Sequence, residues 1–177
     1  MKLAPWRRME MWLEEAGWEL PTAATLVRLF SRLLSAVLLG ALVGLERERR
    51  GMAAGLRTHM MVALGAALFT LLPLEVGGTS ADLAQVVKGI AAGVGFLGGG
   101  AILKLAAERE IKGLTTAASI WLTAAVGMAS GAGKMWMALM SVVISLIILA
   151  ALAPLDTLVN PDEDHSAPSD KGEKSKA

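Results

Sequence analysis

The chain has 177 residues, 54% of them apolar, a formal net charge of +1 and no cysteine. A mean hydropathy of +0.54, with the apolar residues gathered in runs near the length that crosses hydrocarbon, places it among integral membrane proteins. The near-neutral charge argues against nucleic-acid binding, which concentrates a basic excess, and the lack of cysteine excludes disulfides, thiolate metal sites and thiol nucleophiles.

Residues 1–24 read as an amphipathic segment lying on the membrane surface. Trp6, Met9, Leu13, Ala16 and Leu20 form a stripe at helical spacing, Arg7, Arg8, Glu10 and Glu14 lie off it, and Pro21 ends it. The acidic residues interrupt any apolar core of the kind a cleaved signal peptide requires. Residues 25–154 then hold five predicted crossings: Leu26 to Leu45, Thr58 to Leu74, Leu83 to Leu103, Thr115 to Ser130, and Met135 to Pro154. The expected fold class is an all-α membrane protein, a bundle of about five transmembrane helices. Residues 155–177, with Asp162-Glu163-Asp164 followed by Lys171, Lys174 and Lys176, form a polar tail without apolar periodicity and are expected to be disordered.

Lysine and arginine collect on one side. The loop after the first crossing has Arg47, Arg49, Arg50 and Arg57, the loop after the third has Lys104, Arg109 and Lys112, and the tail adds its lysines. By the positive-inside rule these loops and the C-terminus face the cytoplasm and the N-terminus lies outside. A shift of 58 positions also lays the first hairpin on the second, pairing Leu39-Gly40 with Leu97-Gly98, Gly55-Leu56 with Gly113-Leu114, and Thr58 with Thr116. Two tandem helical hairpins plus one extra helix, the hairpins sharing one orientation, are the architecture this implies.

In lipid, helices associate through close packing of small residues. Gly40 and Gly44 in the first crossing and Gly89, Gly93, Gly95, Gly98, Gly99 and Gly100 in the third are the candidates for helix packing, with Gly127 and Gly131 as matching partners. Thr58 and Thr116 are expected to cap the second and fourth helices. Two such helix starts beside Glu46, Arg47, Arg57 and His59 would favour an anion or a partner's carboxylate. Arg32, inside the first crossing, needs either the outer headgroups or a pairing with Glu75 or Asp82. Thr116, Ser119 and Thr123 make a hydroxyl stripe expected to hydrogen-bond across helices. Magnesium wants oxygen ligands, typically carboxylates, and no carboxylate falls in the middle of a crossing, so no metal ligands or cofactor are assigned. The sequence offers no nucleophile with an evident base and no zinc motif, so an enzyme is not expected.

Four ordered phrases carry a resemblance. Gly40-x-x-x-Gly44-Leu45-Glu46-Arg47-Glu48, Gly55-Leu56-Arg57-Thr58-His59, Gly95-Phe96-Leu97-Gly98-Gly99-Gly100 and Gly113-Leu114-Thr115-Thr116-Ala117-Ala118, with Trp121 following, resemble the MgtC/SapB family of bacterial inner-membrane proteins. The likeness runs from about Arg32 to about Leu152; Gly99 stands where the family usually has alanine. It implies a multi-pass inner-membrane protein linked to growth under low magnesium. Its expected role is that of a non-enzymatic regulator of partner membrane proteins, among them the F-type ATP synthase. The short polar tail is similar to that of the shorter SapB-type members. The alternative is a magnesium or other ion transporter or channel, working as a homo-oligomer with Mg2+ as its ligand. The residues singled out as functional are Glu46, Arg47, Arg57, Thr58, His59, Thr115 and Thr116.

Overall fold

A computed structural model of the chain describes residues 21–103 and 113–151. Most of the predicted surface segment, the 104–112 loop and the polar tail lie outside the described residues. Within them five helices follow in order: α1 (Ala23–Arg49), α2 (Leu56–Glu75), α3 (Ser80–Leu103), α4 (Leu114–Gly131) and α5 (Met135–Ala151). The first four are long and apolar enough to cross a membrane, and α5, also apolar, is shorter.

Local chemistry sets the helix ends. Thr22 opens α1, its hydroxyl accepting from the Thr25 N–H at 3.2 Å. At 27 residues and about 1.5 Å per residue, α1 outruns the predicted Leu26–Leu45 crossing at both ends. Its exit turn is made by Gly51, at φ +67°, in the left-handed region that favours glycine. Pro73 sits in the last turn of α2, and its carbonyl accepts from the Gly78 N–H at 2.7 Å, so the chain turns at once into α3. There Thr79 and Asp82 cap each other reciprocally: the Thr79 N–H donates to Asp82 Oδ2 at 2.8 Å, and the Asp82 N–H to Thr79 Oγ1 at 3.3 Å.

The packing core is α1 against α2 and α2 against α4. A Cβ placed on Gly40 would lie 2.8 Å from both the His59 carbonyl oxygen and the Ala63 Cβ, and one on Gly44 would lie 2.8 Å from the Leu56 Cα. Across α2, a Cβ on Gly127 would collide with the Ala63 carbonyl oxygen, and one on Gly131 would come within 2.5 Å of the Ala67 oxygen. Helix backbones therefore touch along this line, with Ala36, Ala63 and Ala67 fully buried between them. Since lipid gives no hydrophobic reward for helix pairing, such dispersion contacts are what hold the three helices. The shorter α5 closes the other flank, where Leu39, Val43, Val126, Ala138 and Val142 form an apolar cluster.

The tandem hairpins are visible in these contacts. Gly40 of α1 meets His59 of α2, and 58 positions later Gly98 of α3 meets Ala117 of α4, at a looser 3.4 Å. Gly44, where α1 touches Leu56, corresponds to Ile102 in the second hairpin, so the glycine of the tighter contact has no counterpart there.

Three expectations need correction. A Cβ on Gly89, Gly93, Gly95, Gly99 or Gly100 would meet nothing within 4 Å, so among the described residues only Gly98 of the α3 glycines is a helix contact. The others face outward, or into an open apolar groove of about 610 Å³ between α2 and α3, lined by Val62, Gly65, Ala66, Gly89 and Gly93 among others. Arg32 pairs with neither carboxylate: Glu75 is taken by Arg28 at 3.0 Å and Asp82 by the α3 cap. Arg32 Nη1 instead donates to the Gly131 carbonyl at 3.3 Å, a cation answering the C-terminal end of α4. The hydroxyl stripe mostly bonds to its own helix, as Thr123 does to the Ser119 carbonyl at 2.8 Å. Only Ser119 reaches across.

Candidate functional site

Where α1 ends and α2 and α4 begin, polar groups are buried together. The helical spacing that brings Gly40 and Gly44 onto α2 carries Arg47 to the same face, one turn further along. Arg47 is 3% exposed. Its Nε donates to Glu46 Oε2 at 2.7 Å and its Nη2 to Glu46 Oε1 at 3.4 Å. Arg50, one turn on from Glu46, pairs with the same carboxylate. One acid thus answers two guanidinium groups, and Arg47 Nη1 has no partner among the described residues.

The expected threonine caps are replaced by a different arrangement. The N-cap residues are Gly55 and Gly113, neither with a side chain to offer, and Thr58 and Thr116 fall inside the first turns. Glu48 reaches back from the last turn of α1, its Oε2 accepting from the Leu56 N–H at 2.7 Å. A carboxylate there also answers the positive end of the helix. Gly55 makes room for it, because a Cβ at that position would lie 2.8 Å from Glu48 Oε2.

His59, fully buried, ties α2 to α4. Its Nδ1 lies 2.8 Å from the Gly55 carbonyl oxygen and its Nε2 3.1 Å from Ser119 Oγ. A carbonyl only accepts, so Nδ1 carries a proton, and in the neutral ring Nε2 accepts from the Ser119 hydroxyl. That hydroxyl also lies 2.8 Å from the Thr116 carbonyl. It has one proton for two acceptors. Ser119→Ala removes one neutral hydrogen bond and is expected to cost about 1 kcal/mol. His59→Ala also strands the Gly55 carbonyl and opens a cavity, at about 2–5 kcal/mol. Thermal unfolding of the detergent-solubilised variants checks this; equal losses would show that the imidazole ring itself is not what couples the two helices.

Of the seven residues singled out from sequence, Glu46, Arg47, His59 and Thr116 come together at this end of the bundle, Thr116 through its carbonyl. Arg57, Thr58 and Thr115 are exposed. Glu48 and Ser119 were not singled out as site residues. The signal for Glu48 was the glutamate that follows Arg47 in the first phrase; for Ser119 it was a hydroxyl one turn after Thr116. Among the described residues no group of three or more histidine and acidic side chains is placed to hold a metal ion.

A bundle of long apolar helices closed by backbone contact, with a buried charged cluster at one end, defines a multi-pass helical membrane protein. The chain belongs to the MgtC family, whose model matches residues 33–158. It is 42% identical over 138 residues to Protein SrpB of Synechococcus elongatus, covering 72% of this chain and 76% of that protein. It is 38% identical over 135 residues to YhiD of Escherichia coli K12, named as a candidate magnesium transporter, covering 72% and 60%. To Protein MgtC of Brucella abortus it is 43% identical over 123 residues, covering 70% of this chain and 50% of that protein. The match thus takes in most of SrpB but about half of the Brucella protein. No solved structure matches the chain.

Proposed function

We propose that this MgtC-family chain is a non-enzymatic regulator of magnesium-limitation physiology that acts through helix contacts with another membrane protein. Family resemblance makes the F-type ATP synthase one such partner. The observation that carries this reading is the direct backbone contact of α4 on α2 at Gly127 and Gly131, which leaves no room for a hydrated ion between them. The polar motif residues gather instead at one end, where a partner can reach the exposed Arg57, Thr58 and Thr115. The protein sits in the inner membrane with that end toward the cytoplasm, as its arginine-rich loops favour.

Arg57→Ala, at an exposed position, is expected to abolish growth under low magnesium and crosslinking to the membrane partner, with the protein's abundance unchanged. Divalent-cation flux by the purified chain in liposomes would overturn the proposal. The name of the Escherichia coli relative favours that second reading, an ion transporter. It would use backbone carbonyls or hydroxyls as ligands at an oligomer interface.

A further inference from the structure

We propose that the unpaired edge of Arg47 forms one wall of a binding site for a phosphate-type oxyanion at the start of α2. A guanidinium offers five N–H donors. In Arg47 the Nε and Nη2 sides are spent on Glu46, whereas Nη1 is buried and bonds to nothing among the described residues. Buried donors almost always have partners, and an open one on a charged group is costly. It marks a place where an acceptor belongs.

The direction of the side chain indicates which acceptor. Arg47 continues the face of Gly40 and Gly44 that lies on His59 and Leu56, and its own carbonyl accepts from the Met52 N–H at 3.0 Å. Arg47 therefore stands on the side of α1 that is turned toward the start of α2. Of the N–H groups there, Leu56 is served by Glu48, but Arg57 and Thr58 have no acceptor among the described residues, since Gly55 brings no side chain. Guanidinium edge and helix start thus present donors to one place. Charge agrees: between Glu46 and Arg57 four arginines face two glutamates, an excess of two positive charges.

A phosphate group has the negative charge and the number of lone pairs to satisfy a guanidinium edge and backbone N–H groups together. A lipid headgroup and free phosphate share that chemistry. The proposal involves no partner protein, so it stands or falls separately from the regulatory reading.

The test uses the full chain in nanodiscs and reads the shift in unfolding temperature. One arm adds inorganic phosphate to phosphatidylcholine discs, with chloride at matched ionic strength as control; the other replaces part of the phosphatidylcholine by phosphatidylglycerol. Stabilisation in the first arm identifies a free-anion site, and stabilisation in the second alone identifies a headgroup site. Arg47→Lys and Arg47→Met are expected to weaken the apparent affinity at least tenfold. Arg49→Ala, which removes the same charge from an exposed position, should leave it within twofold. If neither Arg47 variant folds, competition on the unaltered chain decides: sulfate should displace phosphate where chloride does not. The idea is overturned by no stabilisation in either arm, by stabilisation that chloride reproduces, or by Arg47 variants that bind as the unaltered chain does.

Discussion

Replacing Gly127 by alanine is expected to destabilise the folded bundle by about 3 kcal/mol or more, at the upper end of what overpacking usually costs. The same substitution at Gly93 is expected to be neutral or to stabilise by up to about 1 kcal/mol through helix propensity. What separates the two glycines is what their missing side chains would meet, Gly127 being buried in α4 and Gly93 exposed on α3. At Gly127 the added methyl collides with the Ala63 carbonyl oxygen and lies 2.9 Å from the carbonyl carbon and the Cα. These are backbone atoms of α2, so no side-chain rotation relieves the clash and α4 must move away as a body. That movement also lifts Gly131 from Ala67, and in lipid no hydrophobic gain offsets the weakened dispersion attraction between the two helices. At Gly93 nothing lies within 4 Å. SDS titration of the two purified variants reads the difference, and similar unfolding midpoints would mean that α2 and α4 do not touch as described.

Gly93 and Gly127 also show what the sequence left open. Apolar length and glycine spacing were enough to find the crossings and to suggest small-residue packing, since both depend only on local composition. Which glycines touch a neighbour depends on helix rotation, and the i, i+4 pairs Gly89–Gly93 and Gly40–Gly44 look alike until Gly40 is seen on Ala63 and Gly93 in an open groove. The offset of 58 residues held further than motif matching alone, because it relates Gly40 on His59 to Gly98 on Ala117. Thr58 and Thr116 misled for a definable reason. A threonine near a helix start reads as a cap, but Gly55 and Gly113 take that position, and the acceptor for Leu56 comes from Glu48, eight residues back on another helix. The tie between His59 and Ser119 spans 60 residues of chain; no local pattern encodes it.

Glu46→Gln should destabilise the protein more than Arg47→Met, although each removes one member of the same ion pair. Arg47 is 3% exposed, and among the described residues its charge is answered by Glu46 alone. Neutralising the acid leaves a buried guanidinium uncompensated, which costs about 3–5 kcal/mol in buried pairs. Removing the arginine strands nothing, because Glu46 keeps its ion pair with Arg50 and the unpartnered Nη1 disappears with the side chain. The sharper outcome is in the double variant. With Arg47→Met already in place, Glu46→Gln no longer abandons a buried charge, so the pair should unfold later than Glu46→Gln alone, a coupling that a double-mutant cycle in detergent measures directly. If the two losses instead add, the buried charge of Arg47 is neutralised by something other than Glu46, and the two-arginine, one-carboxylate description of this end of the bundle fails.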